Sequence, residues 1–313
     1  MKLHPETTAF VFPGQGSQLV GMGHDLAKQY PAAKGVFEHA DSILDLGLST
    51  IMWEGPEATL NDTVNTQPAL LIHSVAAFQV FREIYPEFRP AALAGHSLGE
   101  LSALVAGGAL PFEAALRLVR TRGELMKRAG ERRPGGMAAI LNVDIAALEE
   151  ICDSASVPPD VVQVANDNCP GQVVISGAAS AVERAMQLAK KAGARRTIPL
   201  AVSIAAHSKL MATIQDEWNE AVRSAGLGDT AIPLIGNVTA EPLRTGAQLS
   251  QDLQLQMQSR VRWTETITRA VGNGITDFVE LGTGSVLLGL IRRIAPSGAG
   301  WPLGAPADFA ALA

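Results

Sequence analysis

The chain has 313 residues, enough for one large core or for a core plus a smaller inserted unit. Apolar residues make up 47% and charged residues 18%, which excludes a disordered chain. The net charge of −6, from 25 basic against 31 acidic side chains, argues against bulk nucleic-acid binding, so an anionic partner has to be met by a local basic patch.

Two cysteines, Cys152 and Cys169, are too few for a disulfide framework and read as packed thiols in a reducing compartment. The opening MKLHPETTAF has no apolar core of signal-peptide length. No stretch approaches the roughly 20 apolar residues of a membrane span. The longest apolar run, 69–80, is broken by His73, Ser74 and Gln79. A cytoplasmic protein without membrane association is expected.

Residues 8–12 read as a short strand ending in the turn-rich Pro13-Gly14-Gln15-Gly16-Ser17-Gln18. Thr66 and Pro68 open a helix that runs to about residue 85. A strand of weak propensity at 91–95 leads into a helix at 98–107, and Pro111 opens another that Gly130 closes. The rhythm then changes. A strand at 136–143, a helix at 145–154, strands at 161–165 and 172–176, a helix at 179–191 and a strand at 197–203 give the order β-α-β-β-α-β. That order is the ferredoxin-like unit, set here between segments that alternate strand and helix, so it reads as an insertion in an α/β domain. A helix at 211–225, a strand at 232–237, a helix at 263–271, a strand at 277–281 and a helix at 286–294 complete the chain.

Gly95-His96-Ser97-Leu98-Gly99 fits G-x-S-x-G, the nucleophile elbow. The serine stands on a sharp strand-to-helix turn where flanking side chains would clash, and the following helix N-terminus points N–H groups at a developing oxyanion. The same five residues also fit an ordinary glycine-bracketed turn. A serine nucleophile needs a base. Of six histidines, His4 is near the terminus, His24 and His39 lie in polar surroundings, and His73 sits in an apolar helix as a core residue would. His96 adjoins the serine and is expected to point away from it. His207, among small neighbours in Ala205-Ala206-His207-Ser208, remains. No acidic residue stands at an orienting position between Ser97 and His207, so a Ser–His dyad is expected, its imidazole oriented by a backbone carbonyl or an amide.

The helix after Pro111 carries an anomaly. Ala115, Leu118, Val119, Leu125 and Met126 form an apolar stripe, and Arg122 falls in its middle, whereas Glu113, Arg117, Arg120, Glu124, Lys127 and Arg128 lie opposite. Arginine is almost never fully buried unpaired. Two readings stay open on this helix alone: a structural ion pair, or a guanidinium awaiting a substrate carboxylate.

Taken together, these segments resemble the malonyl-CoA:acyl carrier protein transacylase family, which includes the acyltransferase domains of polyketide synthases. The resemblance runs from Phe10-Val-Phe-Pro-Gly-Gln-Gly-Ser-Gln18 to about Ile294. Between lie Gly95-His-Ser-Leu-Gly-Glu100, Arg122-Gly-Glu-Leu-Met126, Gly171-Gln-Val-Val-Ile-Ser-Gly177, Ala206-His-Ser-Lys-Leu-Met211, Asn237-Val-Thr-Ala240 and Val261-Arg-Trp263. It implies an α/β fold: a hydrolase-like parallel-sheet domain from about 1–132 and 201–313, with an inserted ferredoxin-like α+β subdomain at about 133–200 and the active site in the cleft between. It implies that Ser97 is acylated with His207 as base, that the backbone N–H groups of Gln15 and Leu98 form the oxyanion hole, and that Arg122 binds the malonyl carboxylate. Gln256 matches the family glutamine near the base, with Gln258 as the competing assignment.

The implied partners are malonyl-CoA and an acyl carrier protein, and the implied mechanism is ping-pong transfer with no metal or tightly held cofactor. Three departures stand out. Ile204-Ala205-Ala206 matches neither tetrapeptide associated with malonyl or methylmalonyl choice in polyketide acyltransferases, Arg260 stands where proline is common, and Thr283 stands where proline is frequent. The first leaves the choice among related carboxyacyl groups open. A thioesterase using the same elbow and a non-catalytic scaffold are the other readings. Two basic groups, Lys190 and Lys191 with Arg195 and Arg196, and Lys127 and Arg128 with Arg132 and Arg133, are candidate carrier contacts or simply solvated surface.

Overall fold

The computed structural model describes residues 3–312, which form two sheets. Their strands are β1 (Thr8–Phe12), β2 (Ala92–Gly95), β3 (Gly135–Leu141), β4 (Val162–Cys169), β5 (Gln172–Ala178), β6 (Arg196–Pro199), β7 (Leu234–Ile235), β8 (Pro242–Leu243), β9 (Asp277–Leu281) and β10 (Ala299–Leu303). The larger sheet has the order β10-β9-β1-β2-β7-β8 and is parallel except for β8.

Its central strands are apolar on both faces, as a parallel sheet covered on both sides requires. Alternate side chains of β1 show why. Phe10 and Phe12 enter a core with Leu70, Leu71 and Phe81 of the helix Thr63–Ile84, whereas Ala9 and Val11 face Trp263, Ile267, Leu287 and Ile291 from the helices Trp263–Gly272 and Val286–Ile294. Phe10 alone meets Phe78, Phe81 and Phe88 at ring separations of 6.4, 5.0 and 5.9 Å.

The smaller sheet is antiparallel with the order β4-β5-β3-β6, the strand order of a ferredoxin-like unit. The helices Ile145–Ala155 and Ala179–Lys191 bury Leu148, Cys152, Val182, Ala185 and Met186. The two sheets are stitched together where the N–H of Val261 donates to Ala165 O and the N–H of Asp167 to Val261 O, at 2.8 and 2.9 Å.

Several boundaries differ from the sequence reading. The long helix starts at Thr63, not Thr66, because Asp62 caps it by accepting the Val64 N–H, while the Thr66 hydroxyl turns back to the Leu60 carbonyl. The strand expected at 197–203 ends at Pro199, and the chain beyond it becomes loop. The helix expected at 211–225 is a 3₁₀ turn, Lys209–Ile214, followed by an α-helix, Gln215–Ser224. Four helices between His24 and Leu60, the helices Gly246–Gln256 and Pro306–Leu312, and strands β8 and β10 were not expected. Among the described residues no helix is long and apolar enough to cross a membrane. Cys152 and Cys169 are free and buried, and burial pushes the Cys152 thiol up to about 12.

Candidate active site

Strand β2 runs into the helix Gly99–Ala106 through Ser97, whose φ of 52° is a left-handed conformation that costs energy for any residue with a side chain. A Cβ on Gly95 would run into the Gly99 backbone, and one on Gly99 into the Phe12 carbonyl, so the turn closes over β1 only with glycine at both positions. Asn237 holds it. Its Nδ2 donates to the Gly95 carbonyl at 2.7 Å, and its Oδ1 accepts the Ser97 N–H at 2.7 Å. The N–H groups of Gln15 and Leu98 have no protein acceptor among the described residues.

His207 also has a left-handed backbone, φ 57°. Its Nδ1–H donates to the Gln256 carbonyl at 2.9 Å, which leaves the lone pair on Nε2, 2.7 Å from Ser97 Oγ. The serine hydroxyl donates along that contact. No carboxylate hydrogen-bonds the imidazole among the described residues, so a backbone carbonyl is what orients it. Burial, and then the Arg122 charge, push His207 down to about 3, so it stands as a neutral base. Gln163 of β4 braces the base loop by donating to the His207 and Gln258 carbonyls, each at 3.1 Å.

Arg122, in the helix Phe112–Arg132, is 2% exposed. Its Nη1 donates to Gln67 Oε1 at 2.7 Å, and its Nη2 to Gln256 Oε1 at 2.9 Å and Ser97 Oγ at 3.1 Å. Every partner is neutral, and Nε is buried with no acceptor. The structural ion pair left open by the sequence finds no carboxylate bonded to this guanidinium. Burial lowers it only to about 10, so it is a cation at neutral pH. Nε keeps a donor without an acceptor and Nη2 lies beside the serine, so the guanidinium retains donor capacity for a carboxylate.

A cavity of about 220 Å³ joins these groups. Gln15, Ser97, Leu98, Arg122 and His207 line it from the larger sheet and its loops; Met137, Asn166, Asn168 and Val174 line it from the smaller sheet. Leu200, Val202 and Ile204, in the segment expected as strand, form an apolar wall instead. His96 also lines the cavity, although it was expected to point away. Its Nε2 pairs with Asn168 Oδ1 at 2.8 Å and its ring packs edge-on to Trp263, so it bonds across the cleft rather than to Ser97. Gln258 turns outward to Gln215 at 2.7 Å, which leaves Gln256 as the glutamine at the site. His73 is a hydrogen-bonded core residue, His39 is exposed, and His24 stacks on Trp53, half-buried. Among the described residues no group of three His, Cys, Asp or Glu side chains is placed to hold a metal ion.

Sequence reasoning assigned no role to Asn237, Gln67, Gln163, Asn168, Glu100 or Asp252. Asn237 and Glu100 lie inside segments that carry the family resemblance; the others are single polar residues whose burial no pattern revealed.

Known proteins share this fold and sequence. The acyl transferase domain family matches residues 9–299. The malonyl CoA-acyl carrier protein transacylase of Bacillus subtilis is 46% identical over 288 residues, 91% of this chain and 90% of that protein. The crystal structure of an acyl carrier protein S-malonyltransferase from Vibrio cholerae superposes with a TM-score of 0.94 at 41% identity, covering 98% of this chain and all of that one. A malonyl-transacylase solved in complex with its type II PKS acyl-carrier protein superposes at 0.93 with 38% identity, covering 97% of each chain. With its elbow, base and buried arginine on a fold shared over almost its whole length, the chain belongs to the acyl transferase domain family and, within it, to the malonyl CoA-acyl carrier protein transacylases.

Proposed function

We propose that Ser97 carries the malonyl group between coenzyme A and the phosphopantetheine thiol of an acyl carrier protein, with His207 moving the proton and Arg122 holding the free carboxylate. The observation that carries this reading is the 2.7 Å contact between Ser97 Oγ and a neutral, tautomer-fixed His207, beside a buried guanidinium whose partners are all uncharged.

His207 Nε2 takes the hydroxyl proton as Ser97 Oγ attacks the thioester carbonyl. The oxyanion forms against the N–H groups of Gln15 and Leu98, where one well-placed donor is worth about 10²–10³ in rate. The carbon–sulfur bond breaks, and the coenzyme A thiolate takes the proton from His207, leaving malonyl-Ser97. A carrier thiol then enters, gives its proton to His207, attacks the ester, and Ser97 recovers the proton as it leaves. Because burial disfavours the imidazolium so strongly, His207 returns its proton readily in each half-reaction. A hydrolase would use the same elbow with water, but a site built around Arg122 favours a carboxyacyl group, and the apolar wall of Leu200, Val202 and Ile204 disfavours water beside the ester.

The larger unit, 1–132 with 201–313, carries nucleophile, base and arginine; the smaller, 133–200, covers the cavity. Two reduced, buried thiols are in keeping with a cytoplasmic enzyme.

The test is intact-protein mass after incubation with malonyl-CoA alone. A malonyl adduct mapping to the Ser97 peptide, absent in Ser97→Ala and slow to form in His207→Ala, is expected. Turnover with an unmodified Ser97 peptide would falsify the ping-pong reading.

A further inference from the structure

Two buried carboxyl groups lie behind the site, and the transfer steps use neither. Glu100, 2% exposed, stands in the first turn of the helix Gly99–Ala106, and Asp252, 3% exposed, stands one turn before Gln256 in the helix Gly246–Gln256. The i, i+4 spacing puts Asp252 and Gln256 on one helix face. Glu100 accepts from the Gln256 amide and lies against the Asp252 carboxyl. Gln256 in turn has every group occupied. Its Nε2 donates to the Ser97 carbonyl at 3.0 Å and to Glu100, its Oε1 accepts from Arg122, and its main-chain carbonyl accepts from His207. One residue thus links nucleophile, base and guanidinium to the carboxyl pair.

The two carboxyls have different surroundings. Asp252 accepts the Val238 N–H at 3.2 Å and the Thr239 hydroxyl at 3.4 Å, bonds that favour its ionised form. The loop packs tightly on it, since a Cβ on Gly236 would lie 2.6 Å from Asp252 Oδ1. Two touching carboxyls resist double ionisation, so one keeps a proton. Burial raises both carboxyls, Glu100 well above the usual carboxylate range, and the Val238 and Thr239 donors on Asp252 favour the charge there, which leaves the proton on Glu100.

We propose that Asp252 is a specificity-determining positioning residue: by holding the negative charge of the pair it keeps Glu100 a neutral hydrogen-bonding acid, so that Arg122 has no internal counter-ion and stays available for the acyl carboxylate. This rests on the reading of Arg122 as the carboxylate clamp. An ionised Glu100 would stand on the other side of the Gln256 amide from Arg122, competing electrostatically with the substrate. Among the described residues the titratable and charged groups facing Glu100 are Asp252, Arg122 from the helix Phe112–Arg132 and, across Gln256, His207; the loop after β7 contributes the Asn237 peptide.

The test uses the full chain with Asp252→Asn, Glu100→Gln and the double variant. KM and kcat are measured for malonyl-CoA and acetyl-CoA across the neutral and alkaline range. In Asp252→Asn the asparagine amide donates to Glu100 and lets it ionise at lower pH. The KM for malonyl-CoA is then expected to climb roughly tenfold as pH rises, the equivalent of one pKa unit of charge interaction. The KM for acetyl-CoA, which has no carboxylate, stays level, and adding Glu100→Gln abolishes the climb. A purely structural role would move both substrates together. The proposal is overturned if Asp252→Asn parallels the wild type at every pH, or if the double variant is no better than the single. Should Asp252→Asn fail to fold, Glu100→Gln alone decides: a flattened alkaline rise in malonyl-CoA KM supports the proposal, and an equal rise at every pH refutes it. Failure of the clamp reading shows separately, as an Arg122→Ala enzyme that keeps its malonyl preference.

Discussion

Arg122→Ala separates substrate recognition from structural support. In the wild type the guanidinium makes three hydrogen bonds to neutral groups and holds a further donor, Nε, without an acceptor. On the proposed reading malonyl-CoA supplies the missing anion, whereas acetyl-CoA leaves the cation unpaired in a desolvated pocket. Sites built around a polar group reject analogues lacking it by roughly 10⁴-fold, about 5.6 kcal/mol at 1.4 kcal/mol per tenfold. The variant removes both the attraction and the penalty, so kcat/KM for malonyl-CoA is expected to fall by about 10³–10⁴ while that for acetyl-CoA holds or rises. Stability changes less. Losing donors to Gln67 and Gln256 costs about 1–3 kcal/mol each, offset by relief of a buried charge that had no counter-ion. Arg122→Lys should rescue poorly, because an ammonium cannot supply the planar fork. Single-turnover acylation with each thioester, read by mass alongside thermal melts, measures the ratio directly. A folded alanine variant that loses activity equally with both substrates, or keeps the wild-type ratio, refutes the reasoning.

Two further outcomes follow from the charged groups. Burial is the main cause that pushes His73 down to about 4 and His207 to about 3, both below an unfolded histidine near 6.5, so the unfolded chain binds the extra protons in that window. Their contribution is complete above about pH 6.5 and is lost as pH falls, by about 1.4 kcal/mol per pH unit for each; a Tm that stays flat between about pH 6.5 and pH 5 would contradict the buried neutral forms. At the surface, Lys190, Lys191, Arg195 and Arg196 are exposed and have no ion-pair partner among the described residues, whereas Lys127, Arg128 and Arg133 are paired with Asp62, Glu217 and Asp160. Lys190→Glu with Lys191→Glu is expected to raise the carrier KM and weaken its salt dependence while malonyl-CoA acylation is spared, and unchanged carrier kinetics removes that surface from consideration.

The parts of the site legible in the sequence were those tied to backbone geometry or strong periodicity. The glycines around Ser97 mark a turn that tolerates no Cβ on either side, and Arg122 violates an otherwise clean apolar stripe. Strands β1 and β9 and the helix Ala179–Lys191 fall where the sequence placed them, because each is bounded by turn residues and carries an unambiguous apolar period. The helix Gly246–Gln256 escaped, since GAQLSQDLQLQ is rich in glutamine and its apolar face is narrow; its start is set by a capping box of Thr245 and Gln248. Missing that helix concealed the relation between Asp252 and Gln256, and with it the carboxyl pair. Residues 200–203, read as the end of the strand 197–203, misled in the other direction. The Leu200 N–H still donates to the Met137 carbonyl at 2.9 Å, but the chain then leaves the sheet, and Leu200 and Val202 wall the cavity.

An acidic chain that handles a coenzyme A thioester and a free carboxylate has to put positive charge where it acts. Along the outer faces of the helices, Arg117, Arg120 and Arg223 are held by Glu113, Glu124 and Glu220 within the same helix, exposed pairs that add little stability but leave little free field. Among the described cations without an ion-pair partner are Lys190, Lys191, Arg195 and Arg196 beside the small sheet and, buried, Arg122. The interior case is the demanding one, because a guanidinium surrounded by amides is poorly compensated until substrate arrives. Glu100 could have supplied that compensation, and a carboxylate there would have made a more stable resting protein with a weaker grip on malonyl. Placing Asp252 against Glu100, with the 237–239 backbone to receive the negative charge, keeps the nearest carboxyl neutral and reserves the counter-ion position for the ligand.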